Sequence, residues 1–489
     1  MLSKEGGAMP IPMISEADRL RREVLAYVIQ AVKSGKYEDL DRIPIKMRPK
    51  GQPYSRCCIY KDRAALRYRC MSALGFRVED ETDELKTLKS YAEDIDTKPP
   101  AADPFLTIFP DACSACMESQ IMVTNMCRGC LARPCTNICP RKAIQVRNGR
   151  AQISHELCIN CGKCAEVCRY HAIIQVPLAC ADACPVGAIG KTPDGRVTVD
   201  QAKCIRCGKC IKACPFAAIM QSNQVAHVVR AIASGKKVVA LVAPAINGFF
   251  PTEPGKLYAA LKKVGFADVF EVALGADDTA IAEAAEWAER KAEGAPFMTT
   301  SCCPAWIECV ERHIPELKPY VSSTPTPMAF TDRRAKAAYP DAVTVFIGPC
   351  MAKRTEAYKH GSPNYVITAE EIGAWFMAEN IQLDDMEPVA PACVGSQYGA
   401  EFAISGGVAN AVAHYLPEGT AKPTVFKING LNKKNIALLR VFAKTKKAPA
   451  EIIEVMVCPG GCVAGPCAIT TPEDAVKVIQ ARRPADFKA

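Results

Sequence analysis

The sequence has no long hydrophobic run and no apolar segment near its N-terminus. Its longest apolar stretches, such as VVALVAPAI, are too short to cross a bilayer. The first 24 residues also lack the apolar core of a secretion signal. We therefore expect a cytoplasmic protein, in a reducing compartment where clustered thiols serve metals or redox chemistry rather than structural disulfides.

The sequence also lacks a run of basic residues. The chain has 489 residues and a formal net charge of +9, but its Lys and Arg residues are scattered, and no basic patch interleaved with aromatic residues appears. A nucleic-acid-binding protein normally shows such a clustered footprint. The composition therefore argues against that class, and the length allows two to four domains.

Two N-terminal regions differ in their cysteine content and in their helical patterns. Residues 1–102 contain one amphipathic pattern that predicts a helix from an N-cap at Ser15 to a stop near Gly35. We interpret this part as a helical region of unknown role, ending in the linker-like TKPPAADP. Residues 103–225 are dense in cysteine and have few long helical patterns.

From residue 236 to 489, apolar strand-like runs alternate with Ala-rich helical segments. The runs KKVVALVAPAI, DVFEVAL, AVTVFIGPC and EIIEVMVCPGG predict buried strands. DTAIAEAAEWAERKAEG predicts a helix ending at Gly294. This alternation predicts an α/β domain with a largely parallel sheet.

Cysteine is the residue in excess, with 27 in the chain. The pattern C-x2-C-x2-C-x3-C occurs at 158–168 and again at 204–214, and a looser version starts at Cys127. Isolated C-x2-C pairs build zinc sites, whereas repeated runs of this spacing are typical of [4Fe–4S] ferredoxins, in which the fourth cysteine ligates the other cluster. Residues 103–225 therefore predict a nested ferredoxin-like domain with four cubanes.

Sixteen cysteines fill these four predicted clusters. The inner pair uses Cys127, Cys130, Cys135 with Cys168, and Cys158, Cys161, Cys164 with Cys139. The outer pair uses Cys204, Cys207, Cys210 with Cys184, and Cys113, Cys116, Cys180 with Cys214. We interpret Cys57, Cys58 and Cys70 as structural thiols.

Four further motifs lie mostly where a predicted strand ends, the usual place for ligand sites in α/β domains. They are VAPAI, TSCCPAW, IGPCMAKRTEA and EVMVCPGGCVAGPC. Together with the cysteine-rich domain ahead of them, they resemble the [FeFe]-hydrogenases, and more narrowly group B, over residues 103 to the end. The resemblance implies an α+β and α/β multidomain fold: a ferredoxin-like 4Fe–4S domain, then a two-lobed α/β iron-hydrogenase domain at 236–489.

The resemblance also implies a cofactor, the H-cluster. This is a [4Fe–4S] cubane joined through one cysteine to a diiron subcluster that carries CO, cyanide and a bridging azadithiolate. Motif matching assigns the cubane to Cys303, Cys350, Cys458 and Cys462, with Cys462 as the bridge. It assigns the surroundings of the subcluster to Lys353, Glu356, Ala243, Pro244, Pro349 and Met456. The lysine would donate to a cyanide, and the glutamate would orient the lysine.

A proton path is implied in the same way. Cys302 matches the cysteine beside the bridging amine, and Glu283, Ser322, Glu286 and Arg290 match a chain that leads to the surface. The two glutamates are three residues apart on a predicted helix and hence on one face. The alternative is an ordinary solvated helix flank.

The sequence departs from the family pattern at several positions. Ala245 stands where a serine is common, Gly348 replaces a methionine, and Met328 replaces a polar residue. The last motif ends in GCVAGPC and adds Cys467, which we group with Cys309 and Cys393 as structural. Such changes reshape the surroundings of a cluster, which tune its potential and access.

The implied function is reversible conversion of protons and electrons to H₂, with cubanes passing electrons to a ferredoxin or similar carrier and maturation proteins supplying the diiron unit. One alternative is an iron–sulfur assembly or scaffold protein without the diiron unit; such relatives usually lack the counterpart of Cys302. Another is an H₂ sensor, which appended signalling domains would indicate. A simple ferredoxin-type carrier would leave the C-terminal half unexplained.

Overall fold

The computed structural model describes residues 15–51, 57–113, 116, 121–176, 178–192 and 196–482. Its N-terminal region is helical, with α1 (Glu16–Ser34), α2 (Ile43–Met47), α3 (Ile59–Ala73), α4 (Leu88–Asp94) and 3-10 turns at Tyr37–Arg42 and Val78–Asp80. The predicted first helix is confirmed: the Ser15 hydroxyl accepts from the Asp18 N–H, and Gly35 ends the helix with φ 68°.

The N-terminal helices share one hydrophobic core with the C-terminal part of the chain. Residues of α1 such as Val28 and Ile29 are fully buried in that common core. The Arg21 guanidinium lies 3.1 Å from the Glu370 carboxylate, and the Gln30 amide donates to the Ala378 carbonyl at 2.8 Å. The N-terminal region is therefore built into the fold rather than appended to it.

The cysteine-rich region consists of short elements, as the sequence predicted. The strands are β1 (Leu106–Ile108), β2 (Ile121–Val123), β3 (Ile144–Arg147), β4 (Arg150–Ile153), β5 (Ile173–Gln175), β6 (Ile189–Lys191), β7 (Val197–Val199) and β8 (Ile219–Gln221). The helices are α5 (Pro110–Cys113), α6 (Pro134–Ile138), α7 (Lys163–Glu166), α8 (Ala179–Asp182) and α9 (Lys209–Ala213). The strand pairing is nested: β1 pairs with β8 around the whole region, and β2 pairs with β5 inside it.

The rest of the chain alternates strands and helices. The strands are β9 (Val238–Val242), β10 (Asp268–Glu271), β11 (Met298–Thr299), β12 (Val343–Gly348), β13 (Tyr365–Thr368), β14 (Val425–Asn429) and β15 (Ile452–Met456). The helices are α10 (Val225–Ala233), α11 (Pro244–Phe249), α12 (Pro254–Val264), α13 (Val272–Ala292), α14 (Pro304–His313), α15 (Pro327–Ala338), α16 (Ala352–His360), α17 (Ala369–Ala378), α18 (Gln397–Glu401), α19 (Gly407–His414), α20 (Lys433–Thr445) and α21 (Pro472–Ala481), with 3-10 turns at Pro315–Tyr320, Leu383–Asp385 and Cys462–Ala464.

These strands form two parallel sheets. One has the order β10-β9-β12-β13 and the other β11-β15-β14. The predicted parallel α/β architecture with two lobes is confirmed, and each of the four predicted strand runs contains a strand. No helix among the described residues is long and apolar enough to cross a membrane.

One boundary differs from the prediction. The run DVFEVAL is a strand only as far as Glu271, and α13 begins at Val272, six residues before the predicted helix. Val272, Ala273 and Ala276 are buried on that helix. A short apolar run cannot by itself distinguish a buried strand from the buried face of a helix, so tertiary packing decides the boundary.

Candidate metal centre and proton path

A mostly apolar cavity lies at the carboxyl ends of strands from both sheets. Three thiols line it from loops: Cys303 after β11, Cys350 after β12, and Cys462 from the 3-10 turn that follows β15. A fourth thiol, Cys458 just beyond the end of β15, lies beside these three. The cavity is lined by Ala243, Pro244, Ala245, Val272, Ala276, Cys302, Cys303, Pro327, Met328, Phe346, Pro349, Cys350, Lys353, Phe402, Ala403, Met456 and Cys462. The chain thus brings most of the predicted residues to one cavity, while Cys458 and Glu356 lie just outside its lining, against the other thiols and against Lys353.

The four thiols are close enough to affect one another. Burial raises the pKa of Cys350 to about 11 and that of Cys462 to about 12, and the neighbouring thiols contribute to both rises. Burial and the same neighbours raise the pKa of Cys458 well above its usual range. Metal binding would relieve this cost, because a metal holds thiols as thiolates.

The thiols are not arranged around a single ion. Among the described residues, no three Cys, His, Asp or Glu side chains converge as one metal ion requires. Ligands of a cubane stand further apart, because each binds a different iron atom of the cluster. The four neighbouring, half-buried cysteines therefore fit the ligand requirement of a [4Fe–4S] cluster.

Lys353 provides the positive charge in the cavity. Its ammonium lies 2.7 Å from the Glu356 carboxylate and 3.4 Å from the Cys302 carbonyl. Burial lowers the pKa of Lys353, but Glu356 and the thiols of Cys350 and Cys302 raise it above its ordinary value. Glu356 also accepts from the Thr326 hydroxyl at 2.5 Å. A cation is therefore held in a fixed position at the cavity wall.

Cys302 is separate from the four-thiol set. Cys302 is half-buried, and it lines the cavity. Burial raises the pKa of its thiol well above the usual range, and the Glu283 carboxyl beside it adds to that rise. Cys302 is thus a neutral thiol between the cavity and Glu283.

A chain of polar groups leads away from Cys302. Glu283 is fully buried, and its Oε1 accepts from the Ser301 N–H at 3.4 Å, whereas its Oε2 has no hydrogen-bond partner among the described residues. The Ser322 hydroxyl lies beside Glu283 and donates to Glu286 at 2.7 Å. Glu286 pairs with Arg290 at 2.7 Å, and the arginine side chain is 22% exposed.

The two glutamates have opposite electrostatic environments. Burial raises the pKa of Glu283 to about 7, and the nearby Glu286 adds to the rise. Burial also acts to raise the pKa of Glu286, but donors from Ser322, Ser323 and Thr324 lower it below its usual value. The inner carboxyl can therefore exchange a proton near neutrality, while the outer one stays ionised.

This difference predicts a pH-dependent infrared signal. We expect the infrared spectrum to contain a carboxylic acid band of Glu283 when the pH is about one unit below 7, and to lose this band above pH 7. The reason is that a pKa raised to about 7 keeps the carboxyl protonated up to that pH. Glu283→Gln should remove the band. Glu286→Gln should keep it but move its midpoint to lower pH, because a like charge is removed. A near-neutral band that survives in Glu283→Gln would contradict the assignment.

The accessory cysteines also fall into groups of four. Cys113, Cys116 and Cys214 lie close enough to Cys180 to add to the rise that burial gives its pKa. Cys184, Cys204 and Cys207 act on the pKa of Cys210 in the same way. Cys139, Cys158, Cys161 and Cys164 line one small cavity. Cys135 lies near Cys130 and Cys168, with Cys127 on the same small core. These are the four predicted ligand sets, each brought together in space.

One accessory set lies beside the cavity thiols. Cys207 is among the neighbours that raise the pKa of Cys458. The loop that carries it is fixed by Lys209, which donates to the Leu431 carbonyl at 2.7 Å. A Cβ at Gly208 would come within 2.8 Å of the Met351 sulfur, so glycine permits this close approach. Two clusters held by these adjacent ligand sets could exchange electrons directly.

The remaining cysteines lie outside these five sets. Cys70, Cys309 and Cys467 are buried, and burial raises the pKa of each to about 12. The Cys467 sulfur accepts from the Gln221 amide at 3.5 Å, and its backbone N–H donates to the Pro349 carbonyl. Cys467 therefore binds the backbone of the loop that carries Cys350, but it does not line the cavity. Cys393 is half-buried, Cys58 is half-buried and Cys57 is exposed.

The structure explains one departure and adds residues that the motifs did not indicate. A Cβ at Gly348 would lie 2.4 Å from the ring of Phe346, which itself lines the cavity, so that ring fills the space of a larger side chain. The Thr326 hydroxyl donates to Glu356, and the Ser323 and Thr324 hydroxyls donate to Glu286. The hydroxyl-rich segment SSTPT was a visible signal, but only the fold shows which carboxylates it faces.

Comparisons with known proteins agree with this geometry. Residues 236–466 match the family model described as iron only hydrogenase large subunit, C-terminal domain, and residues 178–218 and 151–174 match 4Fe–4S dicluster and 4Fe–4S binding domains. Iron hydrogenase 1 of Clostridium pasteurianum is 30% identical over 48% of this chain and 50% of its own length. Cytosolic iron-sulfur assembly component 3 of Rattus norvegicus is 24% identical over 45% of this chain and 57% of its length.

A solved structure of a variant of the [FeFe]-hydrogenase HydA1 from Chlamydomonas reinhardtii is 25% identical, covering 50% of this chain and 84% of that chain, with a TM-score of 0.41. The chain spans about half the length of the two curated relatives named above. Fold and site define an iron–sulfur protein with an α/β domain built around a thiol-lined cavity. Residues 236–466 are similar to the C-terminal domain of iron-only hydrogenases, and residues 151–218 ahead of them are similar to 4Fe–4S domains.

Proposed function

We propose that the protein is an [FeFe]-hydrogenase of the group B type, catalysing the reversible reaction of two protons and two electrons to H₂. The observation that carries the proposal is the placement of Cys302, Glu283, Ser322, Glu286 and Arg290 as successive neighbours between the cavity and a partly exposed side chain. Its outer links, from Ser322 to Glu286 and from Glu286 to Arg290, are contacts of 2.7 Å. A cavity that only stored a cluster would not need a buried carboxyl whose pKa is about 7.

The cavity residues would hold an H-cluster, whose diiron unit supplies the redox chemistry of hydrogen when it is bound. Cys303, Cys350, Cys458 and Cys462 would ligate the cubane, and Lys353, kept in position by Glu356, would donate to an anionic ligand. Ala243, Pro244, Pro349 and Met456 would exclude water from the cavity. Cys302 and Glu283 would hold and move protons at the thiol sulfur and the carboxyl oxygens.

Electrons would pass through four accessory [4Fe–4S] clusters in residues 103–225 to a ferredoxin or similar carrier. We place the iron-hydrogenase domain at 236–489 and the helical region at 1–102. Maturation proteins would insert the diiron unit, and the compartment would be the cytoplasm. These proposals rest on the five groups of four cysteines and on the match to 4Fe–4S domains.

The cluster count gives a measurable iron content. We expect about 20 iron atoms per chain in protein that lacks the diiron unit, because five cubanes carry four irons each. Iron and acid-labile sulfide analysis of anaerobically reconstituted protein measures this. Replacing Cys116 and Cys180 together by serine should lower the value by about four, and Cys309→Ser should leave it unchanged. A parent value near 12 would contradict two of the clusters by the same count.

The experiment for the function itself is infrared spectroscopy of protein activated by the hydrogenase maturases. Metal-bound CO and cyanide absorb where proteins are transparent, so their bands report the diiron unit directly. We expect these bands together with H₂ evolution from a reduced low-potential donor. Bands without turnover in either direction would contradict the enzymatic proposal.

A second candidate is an iron–sulfur assembly protein without a diiron unit. The match to cytosolic iron-sulfur assembly component 3 of Rattus norvegicus favours it. Under that function the cavity would contain only the cubane, and neither Cys302 nor Glu283 would be needed. Full iron in the cubanes with no CO or cyanide bands after maturase treatment would support this candidate over the hydrogenase.

A further inference from the structure

Residues 121–176 form a small lobe, which we call the inner lobe. Among the described residues, the larger contacts of its elements are with one another and not with the rest of the protein. These elements are β2, α6, β3, β4, α7 and β5. They have their own small core, formed by Ile121, Ile144, Ala151, Cys164 and Ile173. The lobe therefore projects from the rest of the protein and offers much of its surface to a partner.

The cysteines of the inner lobe are more exposed than those of the outer set. Seven of the eight outer cysteines are buried, and the eighth, Cys116, is half-buried. In the inner lobe only Cys164 is buried, and Cys161 is exposed. Since electron transfer between proteins requires close approach of two centres, the clusters of the inner lobe are the accessible ones.

The charge of the chain is concentrated in this lobe. It contains eight Lys and Arg residues but only Glu156 and Glu166, a net of +6 out of +9 for the whole chain. The eight basic residues are all exposed, and none forms an ion pair with another described residue: Arg128, Arg133, Arg141, Lys142, Arg147, Arg150, Lys163 and Arg169. Two cubanes, each adding about −2 with its thiolates, would leave the lobe positive.

Exposed apolar side chains are concentrated there too. Seven of the sixteen large hydrophobic side chains exposed in the described part of the chain lie in these 56 residues: Met126, Leu131, Ile138, Leu157, Ile159, Tyr170 and Ile174. Leu131 is 96% exposed. Apolar side chains surrounded by unpartnered charges are the composition of a protein-binding surface.

We infer that the inner lobe is the docking surface for an acidic electron-carrier protein. The inference extends the proposed function but needs only the accessory clusters, not the diiron unit. Positive charge would steer an acidic partner, and the apolar side chains would provide the dry contact. Arg141, Lys163 and Ile159 line the same small cavity as Cys161, so the contact would form directly over a cluster.

A polynucleotide is the other polyanion that such a surface could attract. Binding of single strands relies on aromatic side chains that stack on bases. Tyr170 is the one exposed Phe, Tyr or Trp ring among the described residues of the lobe, and its other exposed large hydrophobic side chains are Leu, Ile and Met. The surface therefore suits a protein better than a nucleic acid.

The test uses the full chain with reconstituted cubanes and no diiron unit. A strongly acidic two-cluster bacterial ferredoxin, photoreduced, serves as the probe, and stopped-flow absorbance follows reduction of the accessory clusters. We expect Arg141→Glu/Lys163→Glu to lower the second-order rate constant by at least about 10-fold at low salt. The difference should shrink as ionic strength rises, because screening weakens the steering.

The matched control is Lys433→Glu/Lys434→Glu, two exposed lysines in the first turn of α20. It makes the same charge change outside the lobe and should alter the rate constant by less than about two-fold. Reduction by photoreduced deazaflavin should be equal in all three proteins. Equal effects of the two double variants, or no salt dependence, would overturn the inference. The inference would also be overturned if the parent bound duplex DNA more tightly than ferredoxin and Arg141→Glu/Lys163→Glu abolished that DNA binding.

The iron content of each variant separates this inference from the proposed function. If all three proteins contain the same iron and the lobe variant alone reacts slowly, the docking surface stands even when maturase treatment yields no H₂ turnover. If the parent turns over H₂ but the lobe variant reacts with ferredoxin at the parent rate, the hydrogenase proposal stands and the docking surface is wrong.

Discussion

Replacing Cys302 by alanine is expected to lower H₂ turnover by about 100-fold or more, the low end for loss of an acid–base group. Cys302 is the one thiol on the cavity outside the four-thiol set, among the described residues, and it lies beside Glu283. Without it, a proton has no group to occupy between the cavity and that carboxyl. Iron content and the CO and cyanide bands should match those of the parent, because Cys302 is assigned no metal.

Two further variants distinguish this role from simple filling of space. Cys302→Asp should recover part of the activity, because it restores a titratable group at the same position. Cys309→Ala removes a buried thiol from α14, the helix that follows Cys303, and should leave turnover within about two-fold of the parent. If Cys302→Ala turns over like the parent, protons leave by another route and the Glu283–Ser322–Glu286 chain loses its role.

The sequence predicted the ligands of the site better than their surroundings. Cysteine spacing constrains a loop to wrap a cluster, so each C-x2-C-x2-C-x3-C run could be predicted from a local pattern, whereas the pairing of Cys113 and Cys116 with Cys180 and Cys214 joins distant parts of the chain. The strands that precede Cys350 and Cys458 were also visible as apolar runs, whereas the two-residue strand β11 ahead of Cys303 was not predicted. Both kinds of signal are local in the chain, which is why they survive without a structure.

The environment of the site depends on distant contacts and could not be predicted. Nothing near Glu283 in the chain shows that burial raises its pKa to about 7, because the packing that buries it forms only in the fold. Ser301 and Ser322, which act to lower that pKa, also reach Glu283 only through the fold. The scattered basic residues of 121–176 likewise become one charged surface only when strands β2 and β5 close the lobe. The N-terminal helices share the core of the iron-hydrogenase domain, and the Arg21–Glu370 pair joins the two parts, a pairing that no local pattern indicates.

Lys353→Met is expected to reduce occupancy of the diiron unit by about 10-fold or more, the usual cost of losing an outer partner of a metal site. The substitution keeps the apolar stem but removes the charge that would face an anionic ligand. It also leaves the buried Glu356 carboxylate without its partner at 2.7 Å, and removing one member of a buried pair costs about 3–5 kcal/mol. A loss of diiron in this variant alone could therefore reflect weaker folding.

The double variant Lys353→Met/Glu356→Gln separates the two effects. It removes both charges, so the buried carboxylate no longer destabilises the domain, and thermal stability should return towards that of the parent. The Thr326 hydroxyl keeps an acceptor in this variant, because the amide introduced in place of Glu356 retains one side-chain oxygen. If Lys353 binds the diiron ligand, CO and cyanide bands should stay weak in the double variant, while the cubanes keep about 20 iron atoms per chain. Bands and turnover that recover together with stability would show that Lys353 only balances Glu356.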